Sequence, residues 1–199
     1  EGSSTVENIN PADDTAADYN NVIISGTVKL AGNIKTKGSF TVSQALDGNS
    51  KVLNIGTKLT TTATITDVTT LSVNGDASIG TDITTSGSQK YQGKVTLTQD
   101  VTLKAMNNIT FEDNATITGA SYNLTLDNDS THQADYDLNK DVTVKSLTAN
   151  IATGKKLSIP SPVVITAKDG FIVNGAGTVN LGTESQTADT KIITEKKDI

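Results

Sequence analysis

The chain has 199 residues, with 22 acidic against 16 basic side chains, a net charge of −6, and no cysteine or tryptophan. Without cysteine there are no disulfides or thiolate metal sites, and because every basic residue is a lysine there is no arginine clamp for phosphate or carboxylate. The acidic balance argues against a nucleic-acid partner or an anionic membrane surface, and no apolar run approaches the roughly 18 residues of a spanning helix.

The chain divides by composition into three segments. Residues 1–18 carry five acidic side chains and only Val6 and Ile9 as large aliphatic residues, which is typical of an acidic flexible leader. Residues 183–199 are predicted to form a polar tail. We expect the folded domain to span residues 19–182.

From Tyr19 onward, short triplets place a polar residue, usually threonine, between two large apolar residues. This is the period-2 spacing of a half-buried strand, and β-branched threonine suits the exposed side. The clearest triplets are Val28-Lys29-Leu30, Phe40-Thr41-Val42, Leu71-Ser72-Val73, Val95-Thr96-Leu97, Val101-Thr102-Leu103, Ile109-Thr110-Phe111, Leu124-Thr125-Leu126, Val142-Thr143-Val144 and Val179-Asn180-Leu181.

Clusters of glycine, asparagine and aspartate separate the triplets, such as Asp47-Gly48-Asn49 and Asn74-Gly75-Asp76, and predict turns. No stretch of a dozen residues keeps a helical period without such a break, so the domain is predicted to be all-β. A β-sandwich has longer strands with turn signals about every 8 to 12 residues. Turn-forming residues are more closely spaced in this chain, which favours a β-solenoid, with the sandwich as the alternative.

A recurring hexapeptide supports the solenoid. Asp100–Ala105 recurs as Asp141–Ser146 and, more loosely and with a shorter offset, as Asp67–Ser72. Two coils of about 20 residues account for the longer offset. We therefore expect equivalent aliphatic residues to stack in columns inside the coil, with hydroxyl groups on the outside.

Two further segments carry glycine-rich motifs next to a predicted strand. Thr84–Leu97, followed by Asp100–Leu103, resembles the filamentous-haemagglutinin-like and autotransporter-type repeats in which a polar Ser-Gly-x-Gln-x-Tyr-x-Gly lead precedes a Val-Thr-Leu strand. Gly175–Gly182 is similar to the Gly-x-Gly-Thr-x-x-Leu stretch of autotransporter passenger domains. The resemblance implies a right-handed parallel β-helix on an exported, surface-exposed bacterial protein that is usually concerned with adhesion. Asn10-Pro11-Ala12 departs from the Asn-Pro-Asn-Leu-type secretion signature, so no secretion route is assigned.

The segment 127–141 is longer than its neighbours and is the best candidate for a protruding loop, where binding usually occurs. An EF-type calcium loop would need glycine where this chain has His132 and glutamate where it has Leu138, so a solvated turn is favoured and no metal is predicted. The candidate binding residues are Asp127, Asp129, His132, Asp135, Tyr136 and Asp137.

No catalytic residue and no cofactor are predicted. His132 lies near Ser130 and Asp135 only in sequence, which does not make a catalytic triad. Glycoside hydrolysis needs two positioned carboxylates, and we assign the pair Asp135 and Asp137 to a loop. The four tyrosines Tyr19, Tyr91, Tyr122 and Tyr136 are interpreted as isolated residues that cover turns, with a sugar-stacking platform as the alternative.

The sequence thus favours a secreted or cell-surface bacterial segment that acts as a rigid scaffold or adhesin, binding a protein or glycan of a host or matrix surface. One alternative is an architectural module, such as a stalk or S-layer piece, that associates only with copies of itself. The other is a polysaccharide-active enzyme, which shares this architecture. No nucleic-acid partner and no membrane span are expected.

Overall fold

The fold is described by a computed structural model that covers residues 17–182 and 190–194, with side chains from Tyr19 onward. These residues form twenty strands and no helix. The strands are β1 (Ala17–Tyr19), β2 (Val22–Ile24), β3 (Val28–Lys29), β4 (Ile34–Thr36), β5 (Ser39–Val42), β6 (Leu46–Ile55), β7 (Lys58–Thr61), β8 (Ile65–Val73), β9 (Asp76–Ile79), β10 (Ile83–Tyr91), β11 (Val95–Leu97), β12 (Val101–Ala105), β13 (Asn108–Phe111), β14 (Ile117–Asp127), β15 (Asp135–Leu138), β16 (Val142–Ile151), β17 (Lys156–Ile159), β18 (Val164–Gly175), β19 (Thr178–Leu181) and β20 (Lys191–Ile193).

The described strands wind into about eight turns of a parallel β-solenoid, which confirms the predicted all-β fold class. The alternative of a β-sandwich is wrong, because the pairs between described strands are parallel and join successive turns rather than hairpin neighbours. Strand β1 begins at Ala17, within the predicted leader, and β20 lies within the predicted polar tail. Residues 1–16, 183–189 and 195–199 of those two segments lie outside the described residues.

Each turn contributes one strand to each of three sides. Side A contains β1, β4, β13, β15, β17, β19 and the C-terminal halves of β6, β8 and β10. Side B contains β2, β5, β7, β9, β11, β20 and the N-terminal parts of β14, β16 and β18. Side C contains β3, β12 and the remaining parts of the long strands, which therefore bend around a corner of the coil.

Inward side chains stack in columns, as the alternation of the triplets predicts. On side C, Val101 pairs with Leu124, Leu124 with Leu147, and Leu147 with Phe171, at the strand spacing of about 4.8 Å per turn. Inward positions are almost fully buried between the two end turns. In the first described turn Tyr19 is only partly buried, and in the last Val173, Leu181 and Ile192 are 42%, 53% and 38% exposed. Cohesion therefore comes from burial between neighbouring turns.

The recurring hexapeptide does not mark equivalent positions in the stack. Val101 lies on side C opposite Leu124, whereas Val142 lies on side B opposite Ile117. Val68 lies on side C, but it is in register with Thr85 and so with Ala105 rather than with Val101. The predicted coil equivalence was wrong, because all three sides require the same alternation and so produce similar local sequences.

The length of a turn also varies along the stack. Ser39 bonds to Asn21 of the preceding turn, from which it is separated by 18 residues. Further along, Ser146 bonds to Asn123 of its preceding turn across 23 residues. No single period therefore describes the whole solenoid.

A column of glycines allows the sharp corner between sides A and B. It consists of Gly38, Gly56, Gly75 and Gly93, each of which faces the backbone of the preceding turn. A Cβ atom on Gly75 would overlap the carbonyl oxygen of Thr57 and lie 2.6 Å from its carbonyl carbon, and one on Gly93 would lie 2.8 Å from the backbone nitrogen of Asp76. Glycine is needed here for close backbone approach rather than for a left-handed conformation.

Aspartate and asparagine side chains at the corners join each turn to the next. The Oδ1 atom of a residue at or just before a strand accepts a hydrogen bond from a backbone N–H one turn further on, at 2.6 to 3.0 Å. The acceptors are Asn21, Asn33, Asp76, Asp82, Asp100, Asp135 and Asp141. Many of the turn-forming residues therefore hold the turns in register.

One of these corner bonds predicts a pH dependence of stability. The N–H of Asn123 donates to Asp100, and this bond is the main reason that the pKa of the Asp100 carboxyl lies below its ordinary value. A lowered pKa in the folded state stabilises the fold at pH values above the unfolded pKa, and this contribution is lost as the pH falls through the folded pKa. We expect Asp100→Asn to cost about 1 kcal/mol at neutral pH, because the site is exposed, and the cost to begin to fall below about pH 4 and to vanish below the lowered folded pKa.

Denaturant titrations of the wild type and Asp100→Asn over a pH series measure the difference in their free energies of unfolding. Asp113→Asn, at an exposed turn, removes the same charge and serves as the control. A cost for Asp100→Asn that stays constant down to acidic pH would contradict the assignment.

The polar lead of the resemblance motif is itself a strand. Gln89 and Tyr91 lie in β10 and point into the core, where both are fully buried. The Gln89 amide donates to the carbonyl oxygens of Lys104 (2.7 Å) and Ile83 (3.1 Å), and the Tyr91 hydroxyl donates to Gln89 Oε1 (2.9 Å). Burial raises the pKa of Tyr91. The predicted lead is therefore a strand whose polar groups are satisfied inside the coil.

Candidate functional site

The longest insertion between described turns before β19 is the loop Asn128–Ala134, which connects β14 to β15. Across this insertion Thr110 contacts Asp137 of the next turn, 27 residues further on, whereas Asp76 bonds to Lys94 only 18 residues further on. The predicted protruding segment 127–141 is therefore shorter in the structure. Asp127 ends β14, while residues 135–137 belong to β15.

Hydrogen bonds within the loop hold it in one shape. The Asn128 side chain accepts from the N–H of Ala134 (2.8 Å) and donates to its carbonyl oxygen (3.3 Å). Asp129 Oδ1 accepts from the hydroxyl and N–H of Thr131, both at 2.8 Å, and from the N–H of His132 at 2.7 Å. The Thr131 hydroxyl and these backbone donors lower the pKa of Asp129 well below its ordinary value. The loop is thus pre-organised, which reduces the entropy lost on binding.

A row of four polar side chains runs along the outside of side C beside this loop. Lys104 Nζ lies 2.9 Å from Asp127 Oδ2 and 3.5 Å from Asp129 Oδ2, so the row and the loop are joined. The hydrogen bond to Asp127 raises the pKa of Lys104. Asn150 donates to Asp127 Oδ1 at 2.5 Å, and Asn174 donates to Asn150 Oδ1 at 3.0 Å. We call the residues Lys104, Asp127, Asn150 and Asn174 the side C ladder.

An open cleft of about 260 Å³ lies between the loop and the end of the ladder. Its lining combines amide groups, one carboxylate and a small apolar floor. The lining residues are Asn128, Asp129, Asn150, Ile151, Ala152, Asn174 and Gly175. Ligand pockets for drug-sized molecules are roughly 300 to 1,000 Å³. This cleft therefore fits one terminal group of a larger partner, such as a single sugar ring or a polar side chain.

Of the six candidate binding residues, Asp129 lines the cleft, and Asp127 and His132 lie beside the cleft and bond to its lining. Tyr136 does not lie on the surface, because its side chain is fully buried in a side A column and its hydroxyl donates to the carbonyl oxygen of Asn150 (3.0 Å). Burial raises its pKa. Tyr91 is also buried, and its ring stacks on Phe111. For these two tyrosines both readings are wrong, because neither covers a turn and neither is exposed to form a sugar-stacking platform.

Asp135 and Asp137 lie on a strand rather than in the loop to which the sequence assigned them. Both are outward positions of β15, two residues apart on side A. Asp135 accepts from the N–H of Lys156 at 2.8 Å, and Asp137 Oδ2 lies 3.4 Å from the Thr110 hydroxyl. Neither residue lines the cleft.

The arrangement around His132 does not support a proton relay. Nδ1 of His132 lies 2.8 Å from the Thr131 hydroxyl and 3.1 Å from Asp129 Oδ1, so both neighbours share one ring nitrogen. A catalytic triad uses opposite nitrogens for the carboxylate and the nucleophile. His132 therefore helps to hold the loop. Within residues 17–182 and 190–194, no group of three or more His, Asp or Glu side chains is placed to hold a metal ion.

Asn150, Asn174 and Lys104 are site residues that the sequence analysis missed. Lys104 pairs with Asp127 in the strand register. Asn150 follows Asp127 after 23 residues, and Asn174 follows Asn150 after 24 residues. Nearly the same spacing relates the stacked inward residues of the same strands. Polar residues that recur every 23 to 24 residues are therefore the sequence signal for the ladder, whereas the hexapeptide is not.

No family model matches the chain, and no curated protein or solved structure is significantly similar to it. The coordinates define the class of the protein as a parallel β-solenoid. The described residues contain no helix that is both long and apolar enough to span a bilayer. What the chain binds must therefore be argued from its own surface.

Proposed function

We propose that this chain is a rigid scaffold segment of an exported bacterial surface protein and acts as an adhesin, which binds a protein or glycan of a host or matrix surface. The observation that carries the proposal is the cleft between the loop Asn128–Ala134 and the side C ladder. A continuous parallel stack presents this cleft, and hydrogen bonds within the loop hold it in shape. Bacterial origin and export rest on the motif resemblance.

The chemistry of the cleft favours a neutral, hydrogen-bonding group. Three amides and one carboxylate offer donors and acceptors together, whereas the nearby ammonium of Lys104 is occupied by Asp127 and Asp129. Ile151 and Ala152 supply an apolar floor for the body of such a group. Because the cleft is small and open, affinity depends on additional contacts along the outer flank, and each contact is weak.

Screening the folded chain against arrays of glycans and matrix proteins tests the proposal. For a ligand that binds, we expect Asn174→Ala to weaken binding about five- to tenfold, since it removes a hydrogen-bonding side chain from the cleft. Asn54→Ala is the matched control, because Asn54 occupies an outward position on side A, away from the cleft.

Uniformly flat responses from folded protein would contradict the adhesin proposal, and equal losses in the two variants would contradict the cleft as its site. Light scattering over a concentration series should be run in parallel. Reversible self-association without any ligand would favour the architectural alternative instead.

A further inference from the structure

The chain contains two Asn-Gly pairs, Asn74-Gly75 and Asn174-Gly175. In such a pair the backbone nitrogen of glycine can attack the Cγ atom of the asparagine side chain. The new N–Cγ bond closes a five-membered succinimide, the glycine nitrogen loses its proton, and the side-chain nitrogen leaves as ammonia. One water molecule then opens the ring to aspartate or isoaspartate. Glycine favours the reaction because no Cβ atom hinders the approach.

The interior pair, Asn74-Gly75, is held on both faces by neighbouring turns. The N–H of Asn74 donates to the carbonyl oxygen of Ile55, and the N–H of Asp76 donates to that of Thr57, both at 2.9 Å. On the other face, Gly93 packs so closely that a Cβ atom on it would overlap the carbonyl group of Gly75. The backbone rotation that ring closure requires is therefore blocked until the stack opens locally.

The second pair lies at the end of β18, at the edge of the described part of side C. Asn174 and Gly175 pair with Asn150 and Ile151 of the preceding turn, and no described strand pairs with their other side. Both residues are exposed, and Gly175 has a φ of +101°. Among the described residues, strands hold only one face of this pair, so its backbone is less constrained than that of Asn74-Gly75.

We propose that Asn174 is a site of spontaneous deamidation and that the reaction changes the cleft. In the unmodified chain the Asn174 amide donates to Asn150 Oδ1 at 3.0 Å. A carboxylate cannot donate, so this bond is lost and a negative charge appears in the cleft that already contains Asp129. An isoaspartate also lengthens the backbone at the edge of side C. Aged protein therefore presents a more acidic cleft than fresh protein.

Incubation of the full chain in mildly alkaline buffer, followed by digestion and mass spectrometry, tests the proposal. Cleavage at Lys168 and Lys191 isolates Asn174 from Asn74, and an isoaspartate methyltransferase assay identifies the product. We expect Asn174 to deamidate at least about tenfold faster than Asn74, because the interior pair must first open locally.

The same incubation in denaturant is the control, since both pairs lie in the sequence Val-Asn-Gly and should react at similar rates once the fold is lost. Similar rates in the folded chain would overturn the proposal, as would an intact Asn174 under conditions that deamidate the unfolded chain. Asn174→Asp mimics one of the two products and shows whether the new charge alone alters the cleft. The outcome does not depend on the adhesin proposal, because the readout is a covalent change.

Discussion

Gly75→Ala is expected to destabilise the protein by about 3 kcal/mol, a large effect for the addition of one methyl group. The added Cβ atom would overlap the carbonyl oxygen of Thr57 and lie 2.9 Å from its Cα atom. Neither atom belongs to a flexible side chain, so relief requires the two turns to move apart. That movement would break the hydrogen bond from the N–H of Asp76 to the same carbonyl oxygen (2.9 Å).

The matched control is Gly26→Ala. No atom lies within 4 Å of a Cβ placed on Gly26, so alanine should be tolerated or should stabilise by about 0.5 kcal/mol through the unfolded state. Chemical denaturation followed by circular dichroism compares the two variants with the wild type. Equal midpoints for Gly75→Ala and Gly26→Ala would show that the corner is looser than its packing indicates.

This corner also shows which part of the fold was predictable from sequence. Alternation within a triplet is a direct consequence of strand geometry, so Val95-Thr96-Leu97 could be assigned as a strand with threonine outward, as β11 shows. The turn at Asn74-Gly75-Asp76 was also predictable from local sequence, because glycine, asparagine and aspartate are the common turn residues. Neither argument needs to know which turn lies above or below.

The stacking register depends on non-local information and could not be predicted in the same way. Val101 and Val142 lie within similar hexapeptides but on different sides of the coil. The hexapeptides are similar because every side requires the same alternation of inward and outward residues. Unequal corner lengths, such as the loop Asn128–Ala134, then shift the period along the chain. A repeat found by matching short motifs therefore detects strands rather than turns.

Polar residues inside the coil were missed for a related reason. Gln89 interrupts a column of otherwise mainly aliphatic residues, and its burial is tolerated only because Lys104, Ile83 and Tyr91 satisfy its amide. Lys104 is 15 residues away in the sequence. Asn150 and Asn174 are likewise separated from the candidate loop in sequence and meet it only through stacking.

Phe111→Ala is expected to have the larger effect of two matched core truncations, a loss of about 4 kcal/mol. The Phe111 side chain is fully buried and pairs with Leu138 of the next turn. On its other side the ring stacks on Tyr91, with centroids 5.1 Å apart and planes at 13°. The truncation therefore removes contacts with both neighbouring turns and leaves a cavity that they can only partly close.

The comparison is Phe171→Ala, the same substitution in the last described turn of side C. Phe171 pairs with Leu147 on one side and is only partly buried, so we expect a loss of about 1.5 kcal/mol. If stability is a sum of contacts between adjacent turns, the position of a truncation along the stack decides its cost. Hydrogen exchange should then show protection lost around β10, β13 and β15 for Phe111→Ala and confined to β16 and β18 for Phe171→Ala. Equal costs with exchange spread evenly over the chain would instead indicate one global cooperative unit.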